Sequence, residues 1–350
     1  MIACQGATSI TTFADFLCKK LTRALRCATY DKTAIDIADE MRSNYPAFNG
    51  TRAKLETHIL KSLAEEENFE KYKQYIQSPR DFFENFIQRC VDNYLDKEKA
   101  KLLSFLNSRL CVFCSSVHTA IDESTKAVKD KNGNASLWLD EFCNRLRGDL
   151  HFPRNELKSI EHQEIKDIEF LKKSMVGALN SVKENLKQDF AAPDVEPFKS
   201  KPHEILLEQL CGCWETCPFC KAVCTNTFSG HDGDHSVPFH RPQAVTGIQW
   251  HRTNHFIIDI CSSLVASDCR LVLSGDTKIP YRNYRQAGPV HAKWSITPDN
   301  SAQSYWKWFV CHFRSQIEIE YSGKFEGKGR IPPEWAGFTK EAVLSDLEKL

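Results

Sequence analysis

No stretch of this sequence stays apolar long enough to cross a bilayer. The longest runs, such as His255 to Ala266, are interrupted by Asp259 and fall short of the roughly 20 residues a spanning helix needs. The opening MIACQGATSITTFADFLCKK lacks a basic segment, an apolar core and a small-residue cleavage site, so it does not read as a secretory signal. Charge of one sign is also missing. The 46 Lys and Arg balance 46 Asp and Glu, so no global field draws the chain to nucleic acid or to an anionic membrane. The aromatic residues are dispersed and the basic ones do not track them, which argues against a stacking platform for nucleic acid. A phosphate loop of the form G-x4-G-K-[S/T] is absent. The nearest text, GKFEGKG from Gly323 to Gly329, has the wrong gap and no hydroxyl residue after its lysine, so no phosphate cradle can be argued.

What is present is cysteine, 15 residues in 350. They are spread through helical patterns instead of forming the spaced framework of a short secreted scaffold, which reads as a reducing compartment. The expectation is a soluble chain of the cytoplasm, with the nucleus as a second location. The text after Met1 already looks mid-domain, as it would in a piece of something larger.

The densest collection of soft donors lies between Cys211 and His240, CGCWETCPFCKAVCTNTFSGHDGDHSVPFH. Cys217 and Cys220 form a C-x2-C, a spacing that lets two thiolates from one tight turn occupy adjacent corners of a tetrahedron. His235 and His240 follow as H-x4-H after a gap of 14 residues, within the ligand arithmetic of a structural zinc site. The expected metal ligands are therefore Cys217, Cys220, His235 and His240. Cys224 or His231 can replace one of the four if the loop turns differently, and Cys211 and Cys213 are further spare thiols. The bland reading is that these cysteines pack as small hydrophobes while the histidines decorate a polar loop.

Two catalytic readings compete with a structural zinc. The run His231-Asp232-Gly233-Asp234-His235 is superficially a metallohydrolase cluster, with His231, Asp234 and His235 on an open metal. Cys261 with Asp259 and a distant His251 or His291 would be a thiol nucleophile, although a strand-borne Cys is more often core. A second C-x2-C, Cys111 and Cys114, lies on a helix with only His118 nearby, and there the core reading prevails.

Upstream, apolar residues recur at three and four. Phe13, Phe16, Leu17, Leu21 and Leu25 form one stripe, and Ile35, Ile37, Ala38 and Met41 form another after Asp31, predicting two successive helices. Thr51 begins a helix carrying Leu55, Ile59, Leu60 and Leu63. Ser78-Pro79-Arg80-Asp81 is a helix start, with Ser78 as cap and Pro79 at the first helical position. A long helix follows within 97–129, a short one over Leu137 to Leu146, and a long one led by Asn155 or Ser159 through Ile165, Ile168, Met175, Leu179, Val182 and Leu186. The proline-rich AAPDVEPFKSKP marks a linker. Beyond the metal stretch, 255–261, 269–274, 281–285 and 291–296 read as strands, with a turn at Gly275-Asp276. Pro298-Asp299-Asn300 opens a helix bearing Trp306, Phe309, Val310, Phe313 and Ile317, and Thr339 caps a last one. The fold class is thus a mostly α N-terminal region, 1–190, a linker, 191–203, and a smaller α+β domain, 204–350, with a structural zinc site.

Several stretches together resemble one known family: KTAIDIADEMR from Lys32, LAEEENFEKY from Leu63, IEHQEIKDIEFLK from Ile160, CPFCKAVC from Cys217, HDGDHSVPFHRPQ from His231, and the later VASD and WSITPD. They are similar to the C-terminal part of the interferon-induced very large GTPases, over most of the chain. The resemblance implies GTP binding and interferon-responsive defence for a parent protein, whose nucleotide-binding domain lies outside this sequence. No GTP-binding residue carries over. The function expected of these residues is a non-catalytic structural and interaction region with protein partners or self-association, no nucleic acid and no membrane. The alternative is the metal-dependent hydrolase.

Overall fold

The computed structural model describes residues 2–162, 165, 167–191, 201–273, 277–298 and 303–348. Packing divides the chain into two compact units, one of residues 1–40 and 91–202 and the other of 41–90 and 203–350. Its last break, between 202 and 203, falls within the expected 191–203 linker, whereas residues 41–90 group with the C-terminal part and not with the rest of 1–190. Residues 192–200 of the expected linker lie outside the described ones.

The first unit is helical. Helix α1 runs Ile2–Asn44 as a single element, not as two helices meeting at Asp31. Its stripe of Phe13, Leu17, Leu21, Leu25, Tyr30, Ala34 and Ile37 is buried without interruption, so the three-and-four period continues past Asp31 and nothing there breaks the backbone. In α5, Lys99–Asp130, the buried residues include Leu102, Leu106, Leu110, Phe113, Val117, Ile121 and Val128, one continuous face. That face packs on α6, Ala135–Leu146, and α7, Ile168–Phe190. Asn134 and Asp167 cap these two helices, accepting from the backbone N–H of Leu137 and Phe170. The last helix therefore starts at Ile168 and not at Asn155 or Ser159; residues 154–157 form a 3-10 turn instead. Trp138 is fully buried, stacked on Phe142 at 4.8 Å and edge-on to Phe13 at 6.2 Å. Arg109 grips Asp36 through Nε and Nη2.

The second unit joins α2, Arg52–Glu66, α3, Phe69–Gln77, and the first turns of α4, Pro79–Lys97, to the C-terminal elements. Pro79 opens α4 as the sequence suggests. The shared core is aromatic. Tyr72 and Tyr75 of α3 meet Trp306 and Phe309 of α11, Ser304–His312, and Phe313 just beyond it. The Tyr72 and Tyr305 hydroxyls lie 2.6 Å apart, and Tyr305 donates to the Leu60 carbonyl at 2.7 Å, so both hydroxyls are satisfied inside an apolar cluster. Ile317 of α12, Arg314–Glu320, and Val343 of α13, Lys340–Glu348, complete it. Thr339 Oγ1 accepts from Ala342 N–H at the start of α13.

The β content is small. Strand β1, Arg270–Val272, pairs antiparallel with β2, Lys278–Pro280, with Leu271 opposite Ile279; the expected Gly275-Asp276 turn lies outside the described residues. Residues 255–261 do not form a strand. Phe256 N–H bonds Lys324, Ile257 N–H bonds Ile248, and the Ile257 carbonyl accepts from Ala244, three separate partners that allow isolated bridges and no ladder. Residues 281–285 are 3-10 turns, burying Tyr281 and Tyr284 at the three-residue period of that helix. Within 291–296 the chain first ends a short helix, Pro289–Ala292, which has proline at its first position, and α13 and this helix are separated by α11 and α12.

Candidate metal centre

Helix α8, Pro202–Leu210, leads into a long loop whose first part is a hairpin. Cys213 N–H bonds Asn226, Cys224 N–H bonds Glu215, and Cys217 N–H bonds Ala222. The hairpin tip is the Cys217-Pro218-Phe219-Cys220 turn, closed by Lys221 N–H onto the Cys217 carbonyl at 3.0 Å. Lys221 takes the left-handed conformation, φ 58°, where the chain leaves the turn for the return arm of the hairpin.

Two groups of four donors result. The inner group is Cys217, Cys220, His240 and Cys261, all buried; the outer one is Cys213, Cys224, His231 and His235, with the cysteines buried and the histidines half-buried. The quartet read from spacing is thus not brought together as a set. Cys217, Cys220 and His240 converge, but His235 stands in the outer group, and the fourth inner donor is Cys261, the first residue of the short helix Cys261–Leu264. Cys224 and His231 do come to a cluster, as companions of His235. Cys211 is buried but belongs to neither group, and burial pushes its thiol up to about 11.

The donor spacing can be compared with a tetrahedral zinc, whose bonds of about 2.3 Å to sulfur and about 2.0 Å to nitrogen place donors about 3.8 Å apart for S···S, about 3.5 Å for S···N and about 3.3 Å for N···N. In the inner group Cys261 Sγ lies 3.9 Å from Cys217 Sγ and 3.5 Å from Cys220 Sγ. His240 Nδ1 lies 3.4 Å from Cys220 Sγ and 2.8 Å from Cys261 Sγ. Burial holds the Cys217 and Cys261 thiols well above their ordinary range. At Cys220 burial acts the same way, but hydrogen bonds from Cys217, Cys261 and His240 outweigh it and pull the thiol down. Three thiols and an imidazole packed this closely in an apolar core, with Phe219, Ile257, Leu264 and Trp294 in the same cluster, are a donor set that a metal ion could occupy.

Two arginines hold the loop. Arg52 of α2 is buried, with its guanidinium 4.6 Å from the Trp214 ring and 4.9 Å from Phe83, and it donates to the Cys213 carbonyl at 2.8 Å. Arg241 is buried between Trp306 and Tyr75 and donates to the Lys221 carbonyl at 3.0 Å. Sequence reasoning gave neither a role. Arg241 stands in the HRPQ text next to a ligand candidate, whereas nothing local marks Arg52.

The other candidates fare differently. Asp234 is held by both terminal nitrogens of Arg285, at 2.6 and 2.9 Å, and is in neither donor group. Cys261 is engaged with three other donors. Cys111 and Cys114 join no metal-ligating group among the described residues; burial pushes Cys114 up to about 11, and His118 faces Asp122. No described helix is long and apolar enough to cross a membrane.

Comparison with known proteins converges on this region. The family model described as "Interferon-induced very large GTPase 1, C-terminal domain" matches residues 213–347, a span that contains all eight donors. Interferon-induced very large GTPase 1 of Mus musculus and that of Homo sapiens are each 51% identical to the chain over 349 residues, which is 99% of this chain. The chain spans 14% of the length of these curated relatives. No solved structure matches it. Residues 213–347 thus match the interferon-induced very large GTPase 1 C-terminal domain, and along nearly its whole length the chain is similar to these relatives.

Proposed function

We propose that this chain is a non-catalytic structural and interaction region of an interferon-induced very large GTPase-like protein, and that a zinc ion bound by Cys217, Cys220, His240 and Cys261 holds its C-terminal unit together. The carrying observation is that four buried soft donors converge within 4.8 Å of one another, three of them in one apolar cluster. Four protein ligands fill a tetrahedral zinc, leaving no position for a catalytic water, and the thiolate-rich set favours zinc over hard cations. GTPase activity and induction by interferon, which the names of the relatives state, belong in this reading to the parent protein. The chain has no Gly-rich phosphate loop. Its own work is contact with proteins, including copies of itself, in the cytoplasm.

Because structural zinc contributes folding free energy, about 10–16 kcal/mol in small zinc peptides, hydrogen exchange on the purified chain should speed up sharply across 203–350 on zinc removal. Protection in the helical unit should persist. Unchanged protection in zinc-free protein would overturn the structural role, and saturable micromolar GTP binding by calorimetry would overturn the non-nucleotide role.

A further inference from the structure

We propose that Cys213, Cys224, His231 and His235 form a second zinc site, nested around the first. This goes beyond the single zinc of the reading above, and it concerns residues that the inner centre does not use. The donor atoms match the same tetrahedral geometry. Cys213 Sγ lies 3.5 Å from His235 Nδ1, Cys224 Sγ lies 3.7 Å from His231 Nε2, and the two imidazole nitrogens are 3.0 Å apart, against about 3.5 Å for S···N and about 3.3 Å for N···N around zinc.

The scaffold positions these donors independently of one another. Cys213 and Cys224 sit on opposite arms of the hairpin, fixed by backbone bonds to Asn226 and Glu215. The Cys213 carbonyl is pinned by Arg52. His235 is tied on both sides, its N–H donating to Lys293 at 2.7 Å and its carbonyl accepting from Ser295 at 2.9 Å, with its ring against buried Trp294. Three separate segments therefore deliver donors to one point.

The segment between them explains why a metal is needed. From Thr225 to Ser236 no side chain is buried, and its one large apolar residue, Phe228, is 74% exposed. Ordering a dozen residues costs backbone entropy at every one of them, and this polar, glycine-containing stretch offers no apolar burial to offset it. Its attachments are the donors, a few backbone bonds and the solvent-exposed ion pair of Asp234 with Arg285, a contact of the weak surface kind. A closed loop of this composition is what a metal clip stabilises and a hydrophobic core cannot.

Chain order sets the hierarchy. The inner pair Cys217 and Cys220 lies between outer donors Cys213 and Cys224, so the tip of the hairpin serves one centre and its base the other. The inner donors are all buried, while the two outer histidines are half-buried. A chelator reaches the outer ion first.

The test is metal counting by native mass spectrometry on the purified 350-residue chain loaded with zinc, alongside circular dichroism. Wild type should carry two zinc ions and release them to a chelator in two steps. The double variant His231→Ala with His235→Ala, and separately Cys224→Ser, should carry one and keep wild-type helicity. In cobalt-loaded protein the thiolate-to-cobalt absorption should fall in these variants from five contributing sulfurs to three. Wild type with one zinc, kept by the outer variants and lost in Cys217→Ser, would overturn the second site and leave the first standing. Two ions retained by both outer variants would overturn the ligand assignment. A wild-type chain that binds no zinc would overturn both readings.

Discussion

Arg52 donates from Nη1 to the carbonyl oxygen of Cys213 at 2.8 Å, and through that bond a helix far upstream in sequence is joined to the base of the metal-bearing hairpin. Its guanidinium is also flanked by the rings of Trp214 and Phe83. Arg241 repeats the arrangement at the hairpin tip, between Trp306 and Tyr75 with a bond to the Lys221 carbonyl. Arginine suits both places because its planar, weakly hydrated cation can lie against aromatic rings and still donate to a carbonyl. A lysine would lose the stacking.

Arg52→Ala should therefore destabilise the C-terminal unit by about 2–4 kcal/mol, the combined scale of a charged hydrogen bond and a desolvated cation–π contact. Chemical denaturation followed by Trp fluorescence measures this. A loss below about 0.5 kcal/mol, the range of ordinary surface substitutions, would mean that the arginine only decorates the loop.

Lys221 occupies left-handed backbone at the C-x2-C turn, where a side chain costs about 1–2 kcal/mol and glycine nothing. Lys221→Gly should stabilise the zinc-loaded chain by about 0.5–1 kcal/mol after the greater entropy of the unfolded glycine is deducted, while Lys221→Ala should not. Equal effects of the two would show that the turn's strain is unimportant.

At Gly212 a Cβ would fall 1.9 Å from the Thr227 carbonyl oxygen. Gly212→Ala must push the two arms of the hairpin apart at Cys213, at a cost of about 2 kcal/mol or more. The outer zinc should be lost and the inner one kept. Elemental analysis giving an unchanged metal count would contradict this.

Trp138 is fully buried in the helical unit, and Trp138→Ala should cost about 3–5 kcal/mol. Hydrogen exchange should rise across α5, α6 and α7 with no change in zinc content. Loss of zinc in this variant would mean that the two units fold as one.

Much of this was legible in the sequence. The three-and-four stripe of α7 and the aromatic run of α11 state which faces are buried, because helical period and burial are one fact seen twice. The Cys217-Cys220 turn was legible because short spacing fixes local geometry. Cys261 was not. It ends an apolar run, HFIIDIC, that reads as a strand, and it reaches the centre only because that run bonds two different segments, 243–250 and Lys324, and then turns into a helix. His235 was assigned to the inner donors because spacing limits which cysteines and histidines can meet without saying which do. Residues 41–90 gave no sign of their partner either, since an amphipathic face such as that of α3 states that it is buried and not against what.

The central claim is the inner centre of Cys217, Cys220, His240 and Cys261. Zinc X-ray absorption on the Cys224→Ala, His231→Ala double variant tests it most directly, because that variant retains both the structural quartet and the alternative with His235 in place of Cys261. The account predicts one zinc with three sulfur neighbours at about 2.3 Å and one nitrogen at about 2.0 Å, and loss of that zinc on further substitution of Cys261. A shell of two sulfurs and two nitrogens, or one that includes a water oxygen, would contradict it.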